Sequence, residues 1–373
     1  MFKSFKLEIL SIKTTISYDV NAIDWNKQLL KNMNSTTYQT YEWAKLYEKV
    51  YDSIPLYIIS EDTHGNILGQ LTAVIHSKYF WTKTGKITEL LGTKLNLQSF
   101  IYWFYGPVIF DETLTEEIVD SMLIEVDKIA IKHNVSMIRG NITPHTVNQL
   151  KPIFYKKGYS CVDWSTYVIS LPQHENTLYD SLNKTTRYDI RKTGNNDLKF
   201  FIADSREDLD EYLELKYTAL EKNGQKSGKG NTNLIKKFND AHWEILQKEN
   251  LEKLFLVKYE GELLGGVRCF TFNNNFYQQN VANSDKKGFL GGTFLTWNSI
   301  KWAINNNKYS FDMGGANPNP SSSKEKQIDF YKSKWGGKKL HYCMYTKILD
   351  KTKFRFATLL KNPRKIIQKI NFE

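Results

Sequence analysis

The chain states much the same pattern twice, which a fold built on one core does not accommodate. In the first half, residues 56–60 (Leu-Tyr-Ile-Ile-Ser) run through a turn at Gly65 into Ile67-Leu68-Gly69. In the second, residues 254–258 (Leu-Phe-Leu-Val-Lys) run through Gly261 into Leu263-Leu264-Gly265. Each half continues through a helical stretch to a short apolar segment followed by proline, residues 135–140 with Pro144 and residues 309–315 with Pro318. Each closes on a near-identical phrase, Phe154-Tyr155-Lys156-Lys157-Gly158-Tyr159 and Phe330-Tyr331-Lys332-Ser333-Lys334-Trp335-Gly336-Gly337. A unit this long is a duplicated domain and not a solenoid repeat. At 373 residues the chain exceeds one ordinary core and suits two. The expected limits are 1–170 and 171–350, with a basic tail at 351–373.

Composition removes several function classes. Hydrophobic content of 41% and aromatic content of 14% belong to a folded chain rather than a disordered one. The most apolar run, residues 100–110, is too short to span a bilayer and is broken by Gly106-Pro107. The N-terminus has no continuous hydrophobic region of signal-peptide type. Cys161, Cys269 and Cys343 are an odd number at unrelated spacing, so they read as reduced, buried thiols without a disulfide frame or zinc site. A cytoplasmic location follows from that reading. The seven histidines show no metal spacing, and no P-loop, zinc-protease or nucleophile-elbow pattern is present.

The net charge of +11 invites a polyanion partner. A bias toward lysine and asparagine explains most of it, because few of the 51 basic residues are the arginines that fork onto phosphates. Arginines gather once with clear geometry. Lys184, Arg187 and Arg191 are three and four residues apart, one stripe on a helix that binds a phosphate or carboxylate or forms a solvated basic face.

Periodicity predicts helices over 25–30, 41–51, 115–133, 177–192, 209–220, 234–247 and 294–306. Strands are expected at 56–60, 67–76, 255–259, 263–272, 276–282 and 309–313, with tight turns between them. A strand meander, then helix, strand and helix in each half gives an α/β fold with a mixed sheet.

These features resemble the FemABX family of peptidoglycan-bridge aminoacyltransferases and the wider set of tandem GNAT-type acyltransferases. The matching residues are Gln39-Thr-Tyr-Glu-Trp43-Ala, Gly106-Pro107-Val108, Thr166 leading into Leu171, residues 178–192, Phe311-Asp312-Met-Gly314-Gly315 and Tyr331-Lys332-Ser-Lys-Trp335-Gly336. They span roughly residues 35–345. The resemblance implies two tandem GNAT-like domains with mixed, mostly antiparallel sheets flanked by helices. It implies transfer of an acyl or aminoacyl group to an amine of a cell-envelope precursor, a peptidoglycan peptide or a surface amino sugar. The co-substrate would be acyl-CoA or aminoacyl-tRNA, and no tightly bound cofactor is expected. Tyr105 replaces the arginine that bridge-forming enzymes often carry before Gly-Pro, and the helical arm of some members is missing.

Within that frame Lys332 is the catalytic candidate, stabilising charge on the acyl oxygen or contacting the donor; the bland reading is one more surface lysine. Asp312, ending a strand beside Gly314-Gly315, serves equally as proton acceptor or as turn cap. The donor cradle is placed at Lys287, Gly288, Gly291, Gly292 and Thr293, with Thr293 expected to cap the following helix. Tyr331 and Trp335 join it as donor-binding residues. The acceptor side is assigned to Lys184, Arg187, Arg191, Tyr105, Asp111 and Lys45. The tail either returns to pack on the first domain, the preferred reading, or lies on the inner face of an anionic membrane. A non-catalytic relative binding nucleic acid or another polyanion through a basic groove is the competing function.

Overall fold

Branched and aromatic residues run almost continuously through both hairpins and make buried strands there. In the computed structural model, which describes residues 11–76, 99–194, 197–222, 232–284 and 290–361, these strands organise two units. The first contains residues 1–32, 38–162 and 343–373, and the second residues 33–37 and 163–342.

In the first unit, β1 (Lys13–Ser17), β2 (Ile54–Glu61), β3 (Ile67–His76) and β4 (Phe100–Trp103) form an antiparallel meander. The short β5 (Val108–Ile109) also pairs with β3. β6 (Met137–Asn141) adds in parallel to β4. Among the described residues before the tail, the helices of this unit are α1 (Ala22–Leu29), α2 (Tyr41–Tyr51), α3 (Thr115–Lys132) and α4 (Val147–Lys156). Ile118, Met122, Val126 and Ala130 recur at helical spacing along α3 and are buried with Leu56, Ile58, Leu71 and Trp103 of the strands. Burying side chains of that size is worth about 1.5–3 kcal/mol each.

The second unit repeats these steps. β8 (Lys199–Ile202), β9 (Glu252–Tyr259), β10 (Glu262–Phe272) and β11 (Asn275–Asn283) form the meander. β12 (Ser310–Ala316) adds in parallel to β11. In its core Phe276 stacks on Phe311 at a centroid distance of 5.3 Å and meets Phe255 edge-on at 5.9 Å. The closing strands are exchanged between the repeats. β7 (Ser160–Ser170), which ends the first repeat, pairs antiparallel with β12. β13 (Lys338–Ile348), which ends the second, pairs antiparallel with β6.

The helices of the second unit are α5 (Glu175–Ser181), α6 (Lys184–Gly194), α7 (Arg206–Lys222), α8 (Thr232–Ala241), α9 (Gly291–Asn305) and α10 (Ser323–Ser333). The single helix expected over 177–192 is therefore two. Leu182 takes an extended ψ of 151°, and the Asn183 side chain accepts the N–H of Thr186 at 2.8 Å to start the next helix. The helix expected over 234–247 changes to π-helical geometry at His242–Gln247.

The cysteine reading is corrected as well. Cys161 of β7 and Cys343 of β13 form a disulfide with Cα atoms 5.7 Å apart, leaving Cys269 as a buried free thiol. Their wide spacing in sequence concealed a pair that adjacent strands bring together. The first part of the basic tail forms α11 (Lys351–Lys361), where Lys353 Nζ donates to Asn134 Oδ1 at 2.7 Å. The rest of the tail lies outside the described residues, as does the loop at 223–231. Among the described residues no helix is long and apolar enough to cross a membrane.

Candidate functional site

The closing phrase of the second repeat lies on α10. A capping box fixes the start of that helix: Ser322 accepts the Glu325 N–H, and Glu325 reaches back to the Ser322 N–H. Lys332 falls in its last turn, half-buried, and donates to the carbonyls of Gly314 at 2.7 Å and Gly315 at 2.8 Å.

Those carbonyls belong to an irregularity in β12, whose register against β7 shifts between Asp312 and Gly315. Gly314 adopts φ +78°, and a Cβ there would stand 2.9 Å from the Gln278 carbonyl oxygen, so the position requires glycine. Asp312 holds the bulge from inside. Its Oδ1 accepts the Gly314 N–H at 2.7 Å and the Thr166 hydroxyl.

Electrostatics tie the two side chains together. Burial pushes the Asp312 carboxyl upward, against its hydrogen bonds and the Lys332 charge. Burial pulls Lys332 down to about 8, while the negative charges of Asp312 and Asp329 oppose that fall. An ammonium has three donors. Two are spent on the bulge, and among the described residues no partner takes the third. The result is a preorganised cation with one N–H to offer, the requirement for stabilising a developing oxyanion. Its echo in the first repeat differs in kind. Lys156 is exposed and pairs with exposed Glu116 at 3.0 Å, an ordinary surface ion pair.

The remaining donor-side residues divide. Lys287 and Gly288 lie outside the described residues. Gly291 and Gly292 open α9, but Thr293 does not cap it: the N-cap is Leu290, with no side-chain hydrogen bond. Thr293 lies three residues past that cap, buried inside the helix. Among the described residues no side chain caps this start, which carries two glycines and no acidic residue in its first turn, so its amide donors and positive dipole end suit an anion. In that respect the residues fit a phosphate-bearing donor. Tyr331 donates to the Gly292 carbonyl at 2.9 Å and lies 2.8 Å from the Thr296 hydroxyl, with burial pushing its phenol up to about 12. Trp335 is fully buried and meets the Tyr331 ring edge-on at 6.2 Å. Tyr331 thereby ties α10 to α9.

The basic stripe lies on α6, beside α10. Lys184 and Arg191 are exposed, whereas half-buried Arg187 donates to the Asp180 carbonyl at 3.0 Å. Thr186 donates to the Lys334 carbonyl at 3.3 Å, and Lys334 lies 3.6 Å from Asp189. The other three acceptor candidates lie in the first unit and have local partners. Lys45 pairs with Glu48 at 2.8 Å and Asp19 at 3.5 Å. Asp111 accepts both the N–H and the hydroxyl of Thr113. Tyr105 is buried before the cis Gly106-Pro107 bond, its N–H donating to Asn141 Oδ1 at 2.8 Å. Sequence reasoning omitted Thr166 and Gly314 from the site. The signal was available in the aspartate followed by two glycines inside a strand pattern.

A family profile described as an acetyltransferase (GNAT) domain matches residues 180–332. No curated protein sequence matches significantly. Among solved structures, FemX superimposes with a TM-score of 0.72 at 13% identity, covering 92% of this chain and 99% of FemX. L-PGS from Bacillus licheniformis gives a TM-score of 0.53 at 13% identity over 92% of this chain and 98% of that one. A tandem GNAT protein from the clavulanic acid biosynthesis pathway gives 0.51 at 10% identity over 91% and 98%. The fold is thus the FemX-like tandem GNAT fold, with mixed, largely antiparallel sheets flanked by helices.

Proposed function

We propose that this protein is an acyltransferase that forms an amide on an amino group of a cell-envelope precursor, a peptidoglycan peptide or an amino sugar. The observation that carries the reading is the Lys332 ammonium, seated on two bulge carbonyls with one donor remaining. A surface lysine kept for solubility has no need of a positive-φ glycine and a buried aspartate behind it. The FemX-like fold and the GNAT profile over 180–332 support the transfer chemistry.

In the proposed reaction the acceptor nitrogen attacks the carbonyl carbon of the donor. Lys332 donates its remaining N–H to the oxygen as it becomes an oxyanion. The attack forms the C–N bond; collapse of the oxyanion then re-forms the carbonyl and breaks the bond to the leaving group, a thiol for acyl-CoA or a ribose hydroxyl for aminoacyl-tRNA. The proton lost by the amine ends on that leaving group. The donor supplies the activated carbonyl, and the open start of α9 at Gly291 and Gly292 would hold its phosphates. Asp312 acts as a positioning residue, because its Oδ1 already accepts from Gly314 and Thr166 and its charge keeps Lys332 cationic. Lys184 and Arg191 remain available to the acceptor's acidic groups. The competing polyanion-binding reading is weakened by cations already paired locally, among them Lys334 with Asp189, Lys339 with Asp329 and Lys347 with Asp127.

The test is a donor screen by mass spectrometry, offering acyl-CoAs and charged tRNAs with amine acceptors to the wild type and to Lys332→Met. Turnover that depends on Lys332 with one donor class supports the reading and names the donor. Consumption of neither class, or equal turnover by the folded variant, overturns it.

A further inference from the structure

The disulfide between β7 and β13 has a third neighbour, and the chemistry proposed for Lys332 makes no use of it. Cys161 and Cys343 both lie in the first unit, with Cα atoms 5.7 Å apart. Asp163 follows Cys161 by two residues in β7, and alternate residues of a strand share one face. Both sulfurs and a carboxylate oxygen of Asp163 lie within 4.8 Å of one another. Exposure rises across the three: Cys343 is buried, Cys161 half-buried and Asp163 exposed. Among the described residues no other group of three histidine, cysteine or acidic side chains gathers as closely.

Two sulfurs and an oxygen at that spread can hold an ion as well as a crosslink. Zinc takes thiolates at about 2.3 Å and carboxylate oxygens at about 2.0–2.2 Å, almost always in a tetrahedron. Ligand atoms around such an ion stand roughly 3.5–3.8 Å apart, inside the spread seen here. Once their bond is broken, the sulfurs need part only that far. Thiolates select zinc over magnesium and calcium, which favour oxygen ligands alone. Three protein ligands leave a fourth corner, which water reaches from the exposed Asp163 side.

We propose that Cys161, Cys343 and Asp163 form a site for zinc when the disulfide is reduced. A dithiol supplies the two electrons that break the S–S bond, closes its own disulfide, and passes two protons to the cysteines. Zn2+ then displaces both thiol protons, so two S–H bonds give way to two S–Zn bonds while the carboxylate binds as it is. The ion takes over the link between the strands that the disulfide otherwise makes. The proposal does not depend on the transfer reaction.

Cobalt(II) is the probe, because its tetrahedral thiolate complexes absorb visible light and those of zinc do not. The full-length protein is reduced with a phosphine, freed of reductant without air, and titrated with Co2+. A sulfur-to-cobalt charge-transfer band is expected, saturating at one ion per chain and abolished by added Zn2+. The oxidised protein and Cys161→Ser should lack the saturable band. Asp163→Asn should weaken binding at least about 10-fold, the usual cost of losing even an outer-shell partner. Zn2+ should also restore the melting temperature lost on reduction, in the wild type and not in Cys161→Ser. No band in the reduced wild type, or an equal band in the oxidised protein, overturns the proposal. A fold lost on reduction and not recovered with Zn2+ overturns it too. Unchanged affinity in Asp163→Asn removes the aspartate and overturns the three-ligand site.

Discussion

Lys332 carries the sharpest predictions at the scale of single residues. Lys332→Met should lower the transfer rate by about 10²–10³-fold, the usual cost of one oxyanion donor, with an unchanged circular dichroism spectrum. The group works as a cation and sits near 8, so kcat/KM should fall as pH rises through about 8. Lys332→Arg should remove that alkaline limb, because a guanidinium keeps its charge. Asp312→Asn deletes a charge that raises the lysine, so the limb should move to lower pH in the same kcat/KM profile. A purely structural role for Asp312 would lower the rate without moving the limb. The lysine was legible from its place in a repeated phrase. What made it different from Lys156 was not, because the difference lies in carbonyls 17 and 18 residues away and not in neighbouring letters.

Among the elements, the bulge in β12 and the break between α5 and α6 carry the local information. Gly314→Ala would place a Cβ on the Gln278 carbonyl oxygen in a left-handed conformation, costing roughly 1–3 kcal/mol in urea unfolding. Asn183→Ala should cost about 1 kcal/mol in the same assay by removing the cap of α6. Helix–strand alternation was legible because α3 keeps its apolar period over its whole length and the hairpins keep unbroken apolar runs bounded by turns. The break at Leu182 was not, since apolar spacing continues across it from Leu178 to Ile190 and only Asn183 interrupts it. Glu252 of β9 and Arg268 of β10, a buried ion pair 2.9 Å apart, also escaped notice. Charged residues in a strand read as solvent-facing until the helices that cover them are placed.

For the molecule as a whole, the duplication was readable because both repeats keep the same hairpin and closing phrase. The disulfide was hidden, since pairing across 182 residues depends on which strands become neighbours. Closing a loop of that length contributes about 5 kcal/mol on the chain-entropy account. Thiol titration in denaturant should find one reactive cysteine without reductant and three with it, and reduction should lower the melting temperature. The exchange of closing strands has an evolutionary consequence. A gene that lost either copy would strand its survivor, because the last rung of each sheet is encoded by the other copy. A product cut after Ser170 would carry the rung meant for a missing sheet and expose the unpaired edge of Met137–Asn141 to any passing strand. Once the ends had crossed over, two genes' worth of sequence became one indivisible inheritance.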